Sequence, residues 1–220
     1  MKKDLYIFGA STYALVAKFY FELDSDYSFV KFVVDKDRPI AKEIEKDHII
    51  LTEDFLKIEN KEEIYLYIAI GFSQINAARE EKYKFFKNKN YKFATYISKR
   101  AIVYDRNLIG EHCFILENNI IQPYAKIKNN SILWSGNHIG HHVNISDNVF
   151  ISSHCVLSGG VTISKNSFLG VNSCFAENVV VGENCVIGMG ATVSRDIPTN
   201  SIVKSPKCEI SPVSSLRLDF

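Results

Sequence analysis

The sequence predicts a small α/β unit of parallel strands followed by a β-helix built from hexapeptides. Two observations carry this. From Ile109 onward an apolar residue, nearly always aliphatic, returns at every sixth position as far as Val193. In the first hundred residues, short apolar strands run into glycine-containing turns and then into helices.

The six-residue step reads Ile109, Ile115, Ile121, Ile127, Leu133, Ile139, Ile145, Ile151, Leu157, Ile163, Leu169, Phe175, Val181, Ile187 and Val193. No polar residue interrupts it, although apolar residues make up only 46% of the chain. Two places before each of these stands, in most hexads, a small or β-branched residue, such as Ala125, Ser131, Val143, Val161 or Ala191. The residue after the aliphatic is often glycine or serine, as at Gly110, Gly140, Ser152, Gly170, Gly182 and Gly188. A period of six fits neither a helix nor an alternating strand. It marks a prism in which each hexapeptide forms one flat side and three close a coil, giving about five coils. The aliphatic fills the axis, the small residue fits near the corner, and Gly or Asn supplies the backbone angles of the turn.

The same register places Cys113, Cys155 and Cys185 at the small inward position, where cysteine acts as a compact apolar residue. Cys174 is out of that register and Cys208 lies past the last coil. Five cysteines without a CxxC pair argue against both a disulfide framework and a zinc site.

In residues 1–100, Leu5 to Phe8 reads as a strand entering Gly9-Ala-Ser-Thr-Tyr13, followed by a helix from Ala14 to about Leu23. Phe29 to Val34 is a second strand, ending at Asp35. Ile64 to Ile70 is a third, ending at Gly71-Phe72, and a helix from about Gln74 to Lys89 follows. Ligands of such sheets bind at the carboxyl ends of the strands, and the first turn opens a helix N-terminus suited to phosphate. The GxGxxG fingerprint is absent, so a plain packing unit and a nucleotide site stand as equal readings of this turn. The boundary is expected near Ser98 to Val103, giving domains 1–100 and 101–220.

A net charge of +1 offers no basic surface for nucleic acid. The longest apolar runs are far shorter than the ~20 residues of a membrane span, and the N-terminus lacks the pattern of a signal peptide. The expectation is a cytoplasmic protein without nucleic-acid or membrane partners.

Four of the six histidines, His138, His141, His142 and His154, fall within one short stretch. His141 and His142 follow the inward Ile139 by two and three places, at or near a corner of the prism. Three readings compete. His141 is a general base, since an imidazole titrates near pH 6.5 and accepts a proton at neutrality. Alternatively the four hold a metal, though only Asp147 lies nearby in the repeat to orient such ligands. Or they are surface residues without chemistry.

Asn137-His-Ile-Gly-His141, Ile151-Ser-Ser-His-Cys-Val-Leu-Ser-Gly-Gly-Val161, Phe168-Leu-Gly-Val171 and Ile187-Gly-Met-Gly-Ala-Thr-Val193 resemble the hexapeptide sugar acyltransferases of the sialic acid O-acetyltransferase type. These include N-acetyltransferases of nucleotide-linked amino sugars. The resemblance covers nearly the whole chain. It implies an α/β N-terminal Rossmann-like domain followed by a left-handed parallel β-helix, assembled as a homotrimer. It implies acetyl-CoA as cosubstrate, no metal, and a nucleotide-activated amino sugar, of the 4-amino-4,6-dideoxy type, as acceptor. His141 falls on the catalytic histidine of that group, and His142 stands where an acidic residue often orients it. Gly9, Ala10, Ser11, Thr12 and Asp35 match the nucleotide-binding loop and second strand end, Gly71 and Phe72 the third-strand loop, and Asn137 a residue expected to touch the sugar. Gly159 and Gly160 are candidate oxyanion donors. Gly170, Lys204 and Lys207 are expected near coenzyme A. Two other functions remain open: O-acetylation of a surface-glycan sugar, and a non-catalytic scaffold.

Overall fold

A computed structural model describes residues 2–213 and 215–217. The first part is a five-stranded parallel sheet. Its strands are β1 (Lys3–Phe8), β2 (Tyr27–Val34), β3 (Ile49–Leu51), β4 (Ile64–Ile68) and β5 (Lys92–Phe93), with helices α1 (Thr12–Asp24), α2 (Thr52–Phe55) and α3 (Ala77–Lys87). The strand order is β3-β2-β1-β4-β5. The chain therefore steps outward one way from β1 and returns on its other side at β4. That reversal opens a crevice at the carboxyl ends of β1 and β4.

Alternation along the strands sends side chains to both faces of the sheet. Leu5, Ile7, Phe32, Val34 and Tyr67 share one core with Ala14, Ala17 and Phe21 of α1. Phe8, Val33, Leu66 and Ile68 share another with Phe55 of α2 and Phe86 of α3. Strands β3 and β5 go beyond the sequence expectation: three and two residues are too short for a period to register.

From Tyr96 the chain winds through a parallel β-helix of two-residue strands on three sides. The first, Tyr96–Ile97, already pairs with Phe114–Ile115. The coil thus begins ahead of the boundary expected at residue 100, because Lys99 and Arg100 in the first turn mask the register. The aliphatic row forms the axial core as expected, and Cys113, Cys155 and Cys185 are fully buried in it. Burial pushes the Cys113 thiol up to about 12. At the end the period breaks: Val186 pairs with Ile202, sixteen residues on, where earlier coils repeat at eighteen.

The special backbone angles fall three places after each aliphatic, one place before the small inward residue. Every sixth residue from His112 to Gly190 has φ between 55 and 79°. Half are Asn, the non-glycine residue that best tolerates this region, but His112, Tyr124, His142 and His154 occupy it too. The glycines directly after the aliphatics serve differently. A Cβ at Gly140 would lie 2.7 Å from Leu157 O and 2.9 Å from Gly159 N, so glycine there lets neighbouring coils approach.

The two parts share a core. Phe114, Leu116, Ile132 and Phe150, which face outward from one side of the prism, pack with α1 and the sheet. Tyr13 and Phe21 meet Phe114 ring to ring. A second side carries the exposed apolar residues Ile102, Ile120 and Val156. Among the described residues no helix is long and apolar enough to cross a membrane.

Candidate functional site

At the crevice between β1 and β4 lies a cavity of about 630 Å³. It is lined by Gly9, Ala10, Ser11, Asp35 and Gly71, together with Arg38, Gln74 and Lys82. Gly9 has φ 107° and a Cβ there would sit 3.2 Å from Ala69 O, so only glycine fits. At Gly71 a Cβ would meet nothing within 4 Å. Lys82 Nζ lies 2.7 Å from Asp35 Oδ2, and Thr52 Oγ1 donates to Asp35 Oδ1. Partial burial alone would raise the Asp35 carboxyl, but the Lys82 and Thr52 hydrogen bonds outweigh it and hold the group below its ordinary value. A smaller, nearly apolar cavity of about 240 Å³ adjoins at Gly71 and is lined by Thr12, Tyr13, Phe72, Trp134 and Phe150.

The loop leaving β4 is tied to the prism. Ile68 N–H donates to His112 Nε2 at 2.7 Å, and His112 Nδ1 lies 2.7 Å from Asn130 Oδ1. Since Asn130 gives its amide N–H to Asn148 Oδ1, its own oxygen is the acceptor and His112 carries its proton on Nδ1. Complete burial depresses the His112 pKa to about 3, with the Arg79 charge adding to the effect. Gln74, Ile75 and Asn76 then run in the left-handed region, with φ 54, 52 and 67°. Such residues cost about 1 kcal/mol or more each and persist only where surroundings enforce them. The helix expected from Gln74 consequently starts at Ala77.

The second constellation is at a corner of the prism. His141 is exposed, and its backbone N–H donates to Gln122 Oε1 at 2.9 Å. Its Nδ1 lies 3.1 Å from Nδ1 of His142. His142 in turn packs on the Tyr124 ring, centroids 4.8 Å apart. The other edge of the His141 ring lies over Gly159, where a Cβ would be 2.5 Å from Cε1 and 2.7 Å from Nε2. Gly160 N–H is engaged by His141 O at 2.9 Å, so Gly159 N–H is the amide that meets no acceptor among the described residues.

The other expected residues lie apart from these two constellations. Asn137 is buried, its amide donating to Asn119 Oδ1 and Trp134 O while its oxygen accepts from Cys155 N–H. It holds coils together and presents nothing to a sugar. Gly170 is buried, and a Cβ there would strike the Gly188–Met189 backbone. It serves coil stacking. Lys204 and Lys207 are exposed beyond the last coil. The four clustered histidines offer no group of three that one cation could bridge; among the described residues the one such group is Glu45, Asp47 and His48, exposed. Sequence reasoning missed Arg38, Lys82, Tyr124 and Trp134. Only the αL spacing of residues 124 and 142 signals the Tyr124–His142 stack.

Residues 160–195 match the model of the bacterial transferase hexapeptide, six repeats. No curated protein sequence matches the chain. Solved structures do. The acetyltransferase domain of PglB from Neisseria gonorrhoeae FA1090 superposes with a TM-score of 0.80 at 22% identity, covering 93% of this chain and 97% of that one. PerB from Caulobacter crescentus, solved with CoA and GDP-perosamine, gives 0.79 at 19% identity, covering 92% and 94%. WeeI from Acinetobacter baumannii AYE gives 0.74 at 17%, covering 90% and 95%. The chain therefore carries a bacterial transferase hexapeptide tract and shares, over nearly its whole length, the fold of these solved structures.

Proposed function

We propose that the protein is an acetyl-CoA-dependent N-acetyltransferase acting on a nucleotide-linked amino sugar in the cytoplasm. The observation that carries this is His141: an exposed imidazole whose Nδ1 is engaged by His142 and whose Nε2 edge lies over Gly159. Similarity to PglB's acetyltransferase domain, solved also with acetyl coenzyme A, and to PerB with its sugar nucleotide supports the same reading.

On this reading the N-terminal part is a Rossmann-like nucleotide-sugar unit and the coil is left-handed. The nucleotide lies in the crevice of Gly9, Ser11, Asp35 and Gly71, with its phosphates toward the start of α1. The sugar amine attacks the thioester carbonyl while His141 Nε2 removes its proton. The carbonyl electrons move onto oxygen, where Gly159 N–H donates to the oxyanion. Collapse breaks the C–S bond, and the proton held by His141 passes to the departing sulfur. A metal has no task in these steps. The exposed row of Ile102, Ile120 and Val156 supports contact between copies, consistent with a homotrimer whose clefts hold the reactants.

The test is thiol release from acetyl-CoA in the presence of UDP-, GDP- and dTDP-linked 4-amino sugars, with the corresponding hydroxy sugars as a second arm. Turnover with an amino sugar is expected. Turnover with hydroxy sugars alone would make the protein an O-acetyltransferase, and none with any acceptor would leave a scaffold.

A further inference from the structure

The α3 residue Arg79 is fully buried, yet among the described residues no carboxylate meets it. Its guanidinium donates instead to carbonyl oxygens of both parts of the molecule. Nη1 reaches Gly71 O and, at 3.0 Å, Asn76 Oδ1, with Ile70 O at 3.4 Å. Nε and Nη2 reach Asn130 O at 3.3 Å, and Nη2 reaches Asn148 O at 3.1 Å. Burial lowers the Arg79 pKa to about 10, which leaves the group charged at neutral pH.

Two features set this apart from ordinary packing. Gly71 lines both cavities, and its carbonyl is the one drawn onto the guanidinium. The turn of Gln74, Ile75 and Asn76 is left-handed throughout, and Asn76 caps nothing with its side chain. The Asn76 amide instead donates to Ser167 O of the prism at 3.1 Å, while its oxygen accepts from Arg79. A strained loop at the cavity wall is thus pinned at one end by a planar fork and at the other by the prism. The fork geometry suits this because its donors are rigid and delocalised; a lysine would present one ammonium to fewer of these oxygens. Among the described residues no acid pairs with the charge behind Gly71, and in a low-dielectric interior its field reaches the cavity.

We infer that Arg79 is a positioning residue for the nucleotide site: by holding the Gly71–Asn76 loop against the prism with an uncompensated cation behind it, it sets affinity for the nucleoside diphosphate moiety of the substrate. This rests on the nucleotide reading of the crevice given above. It places the control of nucleotide binding in a residue that touches no ligand, at the seam of the two parts.

Calorimetric titration of the full protein with UDP, GDP and dTDP, and separately with acetyl-CoA, tests it in wild type, Arg79→Lys and Asn76→Ala. The latter removes the tether to Ser167 and one acceptor of the guanidinium while keeping the buried arginine itself, and decides the matter if Arg79→Lys does not fold. The expected result is a loss of at least tenfold in affinity for the best diphosphate in both variants, with acetyl-CoA affinity within twofold of wild type. In steady state the KM of the sugar nucleotide rises while kcat at saturation holds. Unchanged diphosphate affinity in the folded variants, or equal loss for both ligands, overturns the inference. Wild-type protein that binds none of the three diphosphates removes the nucleotide reading itself, and this inference with it.

Discussion

His141 and His142, adjacent in sequence, face each other through their Nδ1 atoms at 3.1 Å. One of the two nitrogens donates and the other accepts. With His141 the donor, its Nε2 keeps the lone pair on the side of Gly159, the arrangement a general base requires. Replacing His141 by Asn should lower kcat by about 10² to 10⁴ while acetyl-CoA still binds. Replacing His142 by Ala should cost less, roughly 10- to 100-fold, the scale on which a partner that fixes ring orientation acts. His142→Glu, restoring an acidic acceptor, should recover part of the rate. Steady-state kinetics on the three variants separate these effects, and wild-type turnover in His141→Asn would remove the base.

His112 makes stability depend on pH. Its folded pKa of about 3 lies below the ordinary imidazole value of 6.5, so the unfolded chain binds the extra proton between those limits. The stabilisation is whole above about 6.5 and is lost as pH falls toward 3, at about 1.4 kcal/mol per pH unit within the window. Asp35, Glu80 and Glu117, also depressed, lose their contributions only below their own ordinary carboxylate values. Urea midpoints at pH 7, 6 and 5 should therefore fall steadily in wild type. His112→Asn should flatten that slope.

Two glycines of the crevice separate folding from binding. Gly9→Ala meets the Ala69 carbonyl in a left-handed conformation and should destabilise by about 1–3 kcal/mol. Gly71→Ala has open space and should melt within a degree or two of wild type, yet raise the KM for the sugar nucleotide by filling the cavity wall. Thermal melts beside kinetics check both.

Gly140→Ala probes the spacing of coils beneath His141. Its Cβ would press on the backbone of Leu157, Ser158 and Gly159, and overpacking of this kind costs about 1–3 kcal/mol. Loss of activity beyond the loss of stability is expected, because the displaced segment carries the Gly159 amide.

The axial core was legible because a prism converts a one-dimensional period directly into burial: Ile139 and Leu157 are core because they recur. The corners were harder to read. Asn and Gly announce a left-handed turn, but His142 and His154 occupy the same corner position and read as candidate chemistry, and His112 occupies it without any signal. His112 is a neutral strut, and His142 packs between His141 and Tyr124. Asn137 misled for a related reason. Its ladder with Asn119 appears only when residues eighteen apart are stacked, and a local motif shows no such neighbour. The Gly9, Asp35 and Gly71 grouping followed from strand ends, whereas Lys82 and Arg38 reach the same cavity from segments with no period to mark them.

The N-terminal sheet covers only part of the prism. Tyr96, Phe114, Ile132 and Phe150 lie buried along the side it shields, whereas Ile202, on the shortened final coil, is 72% exposed. In a solenoid each coil leans on its neighbours, so opening begins where a neighbour is missing. The molecule should come apart directionally. Amide protons of Val203 and Ile187 should exchange with solvent first, those of Leu169 and Ile151 later. Those of Ile115, in the axial core beside the sheet-packed Phe114, should exchange only with global unfolding, so that the last coil acts as the fraying end of a rod whose other end is locked.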